Sequence, residues 1–379
     1  MRCTALMFPL TNRCDQAMPT HEQVRIIDLY SDTKTVPTEG MRAAMATATV
    51  GDEQADEDPT TLALCARVAD ELGYRAAVFM PSGTMCNLVA TLVHTRPGDE
   101  LIADSESHIC TTEAAGAAAI AGVALNPVFT GDGVFTADQC LAAIRFPSRT
   151  APRSTMVSIE QTTNFSGGAI WPLDTLQGVR DAALGAGLKT HIDGARLFNA
   201  TCATGIPMRN YTDGWDSAWV DFTKGLGCPV GAVLCGSMDF IRDAWTWKYR
   251  LGGAMRQSGV LAAAALYALD HHVERLADDH ANAQLFVTLL SAEPAFVFTT
   301  LKPESNLVIF TLHGLLGDAD TFARRAIERG VRIRALPNGR IRATTHLGVT
   351  REDIVAAGDI LIATARELSV ERVDEQSKT

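Results

Sequence analysis

Seven short apolar runs separated by helix-like stretches occupy the middle of the chain, and they narrow the possible folds more than any other feature. The runs are Ala76–Met80, Glu100–Ala103, Val123–Phe129, Thr155–Ile159, Leu188–Ile192, Ser217–Asp221 and Val230–Leu234. Runs this short and this rich in branched residues read as strands, and their regular alternation with helical segments reads as α/β. Being apolar on both faces, they suit strands covered on both sides. The expected fold is a mostly parallel seven-stranded sheet sandwiched by helices.

One helix start is well marked. Asp58-Pro59 offers an N-cap and a proline at the first helical position, Leu62, Cys65, Val68, Ala69 and Leu72 recur at helical spacing, and Gly73 stops the run. Ala114–Leu125, twelve residues of mostly Ala and Gly, reads as a buried helix, and Met238–Leu251 and Arg256–Leu276 read as two long ones. Beyond about residue 275 the rhythm changes: helix from Asp278, strand Asn306–Leu312, helix Ala319–Arg329, strands near Val331–Arg334 and Arg340–Thr344, then a helix from Thr350. The expected organisation is a flexible N-terminal extension over 1–24, a large domain over 25–275 and a smaller C-terminal α+β domain over 276–379. Val370–Thr379 is expected to be a frayed polar tail.

Charge and cysteine usage exclude several classes of function. With 33 basic against 44 acidic residues the net charge is -11, which argues against nucleic acid or an anionic membrane as the main partner. Nine cysteines form no C-x-x-C pair, so neither a zinc site nor a disulfide framework is expected, and a reducing cytoplasm is. No run approaches the roughly 20 apolar residues that span a bilayer, and the first 20 residues do not resemble a secretory signal.

Four constellations could carry chemistry. Met80-Pro-Ser-Gly-Thr-Met85 follows a strand and opens a helix. Backbone N–H groups there, with the Ser82 and Thr84 hydroxyls beside Gly83, would suit a phosphate, although an ordinary capped turn looks the same. Asp193, in Thr190-His-Ile-Asp-Gly-Ala-Arg196, ends an apolar strand, where open α/β sheets bind ligands; a self-bonding turn Asp is the bland alternative. Of six lysines, only Lys224 in Asp221-Phe-Thr-Lys-Gly-Leu-Gly227 combines the end of a strand with a Gly-rich turn. Partly desolvated, it could form a Schiff base; it could equally be a phosphate-binding or solvated Lys. Arg196 and Arg342 could clamp a carboxylate from two domains, or form surface ion pairs.

Taken together, these residues specify pyridoxal 5'-phosphate (PLP). That cofactor needs a phosphate cradle (Ser82, Gly83, Thr84), an imine-forming lysine (Lys224), an acid for its ring nitrogen (Asp193) and a ring over its face. His108 is the candidate ring, with a structural histidine as the alternative.

With these residues in hand, the sequence resembles the threonine aldolase family of PLP enzymes of fold type I. The resemblance runs from about Asp28 to His346. It includes Asp28-Leu-Tyr-Ser-Asp-Thr-Lys-Thr35, Asp56-Glu-Asp-Pro-Thr60, Ser82-Gly-Thr84, Gly167-Gly168, His191-Ile-Asp-Gly-Ala-Arg-Leu-Phe-Asn199, Thr223–Gly227 and Leu251-Gly-Gly-Ala-Met-Arg-Gln257. It implies that Lys224 holds PLP, Asp193 pairs with the ring nitrogen, His108 stacks on the ring, and Ser82, Gly83 and Thr84 hold the phosphate. It implies further that Arg256 neighbours the phosphate across a subunit interface, that Arg196 serves both cofactor and substrate, and that Ser31, Arg196 and Arg342 bind the substrate carboxylate. The implied assembly is a homotetramer with shared active sites.

The implied reaction is retro-aldol cleavage of L-threonine, L-allo-threonine or a related 3-hydroxy-α-amino acid to glycine and an aldehyde, with no metal. The alternative on the same scaffold is β-elimination, racemisation or glycyl transfer to a different aldehyde. Two positions depart from the family pattern. Glu160-Gln-Thr-Thr163-Asn164 carries Thr163 where a histidine is usual, so with Lys224 as the catalytic amine the 3-hydroxyl proton is expected to go to His108 as second catalytic residue, to a water or elsewhere; Ala55-Asp56 stands where Tyr-Gly is common. A nicotinamide dehydrogenase is discounted, because Gly225-Leu-Gly227-Cys-Pro-Val-Gly231 lacks the G-x-G-x-x-G spacing.

Overall fold

The computed structural model describes residues 25–146, 148–313 and 318–376. The expected extension over 1–24 therefore lies outside the described residues. Each of the seven apolar runs forms a strand, with ends within two residues of expectation: β1 (Ala76–Met80), β2 (Asp99–Asp104), β3 (Ala124–Val128), β4 (Arg153–Glu160), β5 (Lys189–Gly194), β6 (Ser217–Asp221) and β7 (Ala232–Gly236). They form one sheet in the order β1-β7-β6-β5-β4-β2-β3. Only β7 runs against its neighbours; the other pairings are parallel.

Alternate residues of the same strand enter two different cores. Phe79, Ile102, Val157 and Val233 pack on one side, while Val78, Leu101, Met156 and Leu234 pack on the other. This is the period-two consequence of a pleated strand buried on both faces. Helices supply the cover. In α1 (Pro59–Leu72) the Asp58 carboxylate accepts from Thr61 N at 2.9 Å, and Gly73 closes the helix at φ 76°, a conformation glycine adopts without strain. In α2 (Gly83–His94) the Ser82 hydroxyl accepts from Met85 N at 3.2 Å.

The second, four-stranded sheet is antiparallel: β8 (Phe296–Phe298), β9 (Leu307–Leu312), β10 (Arg334–Ala335) and β11 (Arg340–Thr344), in the order β10-β11-β9-β8. Strand β8, three residues long, carried no sequence signal. The segment Ile27–Asp28 pairs in parallel with Val331–Arg332, and Leu29 joins the core beneath this sheet. The start of the described chain is thereby tied to its C-terminal third, which brings Ser31 and Asp32 toward the large sheet.

Three expectations about helices are corrected. Ala114–Leu125 is not one buried helix: only Gly116–Ala119 is helical, Ala124 onward is edge strand β3, and Ile120 is 53% exposed. Ala114 and Ala115 take positive φ, and the glycines at 116 and 122 in so short a run oppose continuous helix. The expected helix Arg256–Leu276 is Gly259–His271, and a separate helix, Leu276–Leu290, follows. His272 Nδ1 donates to Leu226 O, 2.7 Å away, where the first helix ends. The final helix runs Arg351–Gln376, so most of the expected frayed tail is helical. No helix among the described residues is long and apolar enough to cross a membrane.

Candidate active site

Sheet register assembles the site. Glu160 on β4 lies opposite Asp193 on β5, which lies opposite Trp219 on β6, so three functional side chains meet at the C-terminal edge of adjacent parallel strands. Strand β6 ends at Asp221, and Lys224 follows three residues on. Its Nζ reaches Asp221 Oδ2 at 2.6 Å, while Asp221 Oδ1 accepts from the Thr223 backbone and hydroxyl, both at 2.8 Å. The start of α2 faces the same space. The cavity is about 380 Å³, and Ser82, Gly83, Thr84, His108, Asp193, Arg196 and Lys224 all border it.

Most of the residues singled out from sequence therefore converge on one cavity. Ser31 and Arg342 lie one layer away. Ser31 Oγ accepts from Thr33 N at 3.2 Å and from Thr33 Oγ1 at 2.9 Å, and Thr33 borders the cavity. The buried Arg342 donates to Asn164 Oδ1 at 2.7 Å, and Asn164 also borders the cavity. Arg256 is not brought to this chain's cavity. It is 62% exposed and pairs with Asp52 at 2.7 Å. Thr163 does not border the cavity either: its hydroxyl accepts from Ala169 N at 2.9 Å. Ala55 is exposed and apart from the cavity.

Sequence reasoning missed Glu160 as a site residue, although it ends an apolar strand as Asp193 does. It also missed Asn87 and Glu113, for which no local pattern exists. Asn87 Nδ2 donates to Asp193 Oδ2 and to Glu113 Oε1, both at 2.7 Å, and Glu113 Oε1 lies 2.8 Å from His108 Nδ1. Asp32 was read only as part of a motif. It accepts from Arg196 Nε at 2.8 Å and Nη2 at 2.9 Å and from Asn306 Nδ2 at 3.1 Å. Arg196 thus spends two of its donors inside the protein.

The charges shift one another. Burial and the neighbouring Asp193 charge push Glu160 up to about 7. Burial would raise Asp32, but the Arg196 charge and hydrogen bonds, with help from Lys224, hold it well below the usual carboxylate range. Burial, with the positive charge of Arg196, brings Arg342 down to about 10. Burial alone would lower His108; the Glu113 hydrogen bond and the Asp193 charge raise it instead. The arrangement holds an amine, a buried acid, an anion-seeking helix start and Arg196 around one void, with Arg342 one layer behind Asn164. That set fits a phosphate- and aldehyde-bearing cofactor.

Residues 28–312 match the beta-eliminating lyase family. A probable low-specificity L-threonine aldolase of Arabidopsis thaliana is 40% identical over 77% of this chain and 83% of its own length. A low specificity L-threonine aldolase of Escherichia coli strain K12 is 37% identical over 87% and 96%. Among solved structures, a threonine aldolase of Leishmania major superposes with a TM-score of 0.76 at 20% identity, covering 88% of this chain and 98% of that one.

Proposed function

Because the chain belongs to the threonine aldolase family of beta-eliminating lyases, we propose that it cleaves L-threonine, L-allo-threonine or related 3-hydroxy-α-amino acids to glycine and an aldehyde with PLP. The observation that carries this reading is the convergence of Lys224, Asp193, His108 and the α2 N-terminus on one cavity.

Lys224 would hold the cofactor covalently, Asp193 would meet its ring nitrogen, His108 would cover its ring face, and Ser82, Gly83 and Thr84 would receive its phosphate. When bound, PLP supplies the electron sink for the Cα–Cβ bonding pair. The protein's part is orientation and proton transfer. Arg342 is held by Asn164 and by Tyr30 O at 3.3 Å, while its buried Nε has no partner among the described residues. That pre-set fork suits the substrate carboxylate. The Ser31 oxygen accepts two hydrogen bonds from Thr33, which leaves its own hydrogen for the same carboxylate. Arg196, anchored by Asp32, keeps Nη1 for the cofactor or substrate side. Glu160, poised near neutrality, is suited to take the 3-hydroxyl proton and return it.

In this reading 25–275 is the cofactor-binding unit and 276–379 the smaller one. The assembly is a cytoplasmic homotetramer in which Arg256 serves a neighbouring subunit's phosphate; its exposure on this chain supports that use.

The test is to purify the chain with PLP and supply L-threonine, L-allo-threonine and L-phenylserine separately. Equal aldehyde and glycine, abolished by Lys224→Ala, is the expected outcome. 2-Oxobutyrate and ammonia from either threonine, or phenylpyruvate and ammonia from phenylserine, without aldehyde, would reassign the site to β-elimination.

A further inference from the structure

We propose that Asn87 is a positioning residue whose amide ties Asp193 and, through Glu113, His108 into one unit, and whose carbonyl sets the tautomers of His191 and His94. The proposal rests on the PLP reading above only for its cofactor arm.

The orientation of the Asn87 amide follows from its neighbours. Trp219 Nε1 lies 2.7 Å from Asn87 Oδ1, and an indole nitrogen can only donate. The oxygen therefore faces Trp219, and the Nδ2 hydrogens face Asp193 and Glu113. His191 Nε2 sits 3.2 Å from the same oxygen, so it too must donate. His191 is fully buried, and burial with the nearby His94 brings it down to about 3, so the ring is neutral and its Nδ1 must accept. Among the described residues its side-chain partner there is Ser217 Oγ, at 2.8 Å. The Ser217 hydroxyl has one hydrogen, and it is spent on His191. Its oxygen must then accept from His94 Nε2, 2.8 Å away.

Every hydrogen bond from His94 to Asp193 thus points the same way: His94 to Ser217, Ser217 to His191, His191 to Asn87, Asn87 to the two carboxylates. Reversing one link reverses the rest. Asp193 is held at both oxygens, by Asn87 on Oδ2 and by Ala195 N on Oδ1 at 3.0 Å. Without the Asn87 amide, Asp193 and Glu113 would face each other as buried carboxylates with no shared donor, and the acid and the ring would lose their common reference.

Nitrogen-15 spectra of histidine-labelled holoenzyme read the tautomers directly. The Nε2–H form is expected for both His191 and His94; an Nδ1–H form at His191 overturns the proposal. Asn87→Leu should abolish the single tautomer at His191. It should also weaken PLP binding by roughly tenfold to a hundredfold, the range for hydrogen bonds to a charged group, and shrink the visible circular-dichroism band of the bound cofactor. Thr91→Ala is the control: it removes a buried hydrogen bond of 2.8 Å to Asn87 O without touching the amide, and should leave tautomers and band intact. PLP affinity and band unchanged in Asn87→Leu would overturn the proposal, as would equal losses in both variants. If the parent chain fails to bind PLP, the functional reading falls, while the tautomer spectrum of that chain still decides this one.

Discussion

Gly83→Ala tests how closely the cofactor turn is packed. A Cβ on Gly83 would meet the Trp219 ring at 2.2, 2.5 and 3.0 Å, whereas carbon atoms rest about 3.5–4.0 Å apart. The ring must retreat by more than 1 Å, and it has nowhere obvious to go, because Trp219 is 2% exposed on a central strand. Overpacking of this kind costs about 1–3 kcal/mol. Any retreat also stretches the 2.7 Å bond from Trp219 Nε1 to Asn87, and an unsatisfied buried donor costs about 1–3 kcal/mol more. The expected loss is therefore about 2–6 kcal/mol in urea unfolding, with cofactor binding weakened in whatever fraction folds. Gly116→Ala, where the nearest atom lies 3.9 Å away, is the matched control. A Gly83→Ala chain within about 0.5 kcal/mol of its parent, a change typical of an unremarkable surface site, would refute the argument that Trp219 fixes this turn.

Glu160→Gln should lower the rate of aldehyde release by roughly a hundredfold to ten-thousandfold, the usual reach of a general base, and erase the rising limb of the pH–rate profile near 7. The folded chain binds the Glu160 proton more tightly than the unfolded chain, because its value is raised from 4.5 to about 7. The associated stability is complete below about pH 4.5 and is lost as pH rises through about 7; comparing urea midpoints at pH 5 and 8 should show a smaller decline in Glu160→Gln. Thr163→His, which restores the residue usual in the family, should destabilise by about 1–3 kcal/mol and supply no base. Thr163 is 2% exposed, and its methyl already lies 2.6 Å from where a Cβ on Gly133 would stand; a urea midpoint and a pH–rate profile check both halves.

Much of this protein was written in local patterns. Strand positions followed from apolar runs because a strand buried on both faces must be apolar throughout. The α1 boundaries followed from Asp58, Pro59 and Gly73 because capping is a contact between near neighbours in sequence. Asp193 and Lys224 could be picked out because each lies at or just beyond the C-terminal end of a strand, beside glycine, where a charged side chain can meet a ligand. The Ala114–Leu125 run misled for the complementary reason. Composition alone read it as buried helix, but leading into an edge strand left it largely exposed and only half in regular structure.

What sequence could not supply was adjacency. Glu160 becomes a group poised near neutrality only because β4 and β5 pair in a register that sets it against Asp193. Asn87 meets Glu113, 26 residues on, and Asp193, 106 residues on, and neither spacing has a local signature. Arg196 looked free to bind a carboxylate until the N-terminal segment folded back and placed Asp32 on it. Local sequence determined which side chains could do chemistry, because strand ends, caps and turns depend on near neighbours. Their partners and protonation were decided by the tertiary structure alone, since burial and charge–charge coupling arise only when distant segments share one interior.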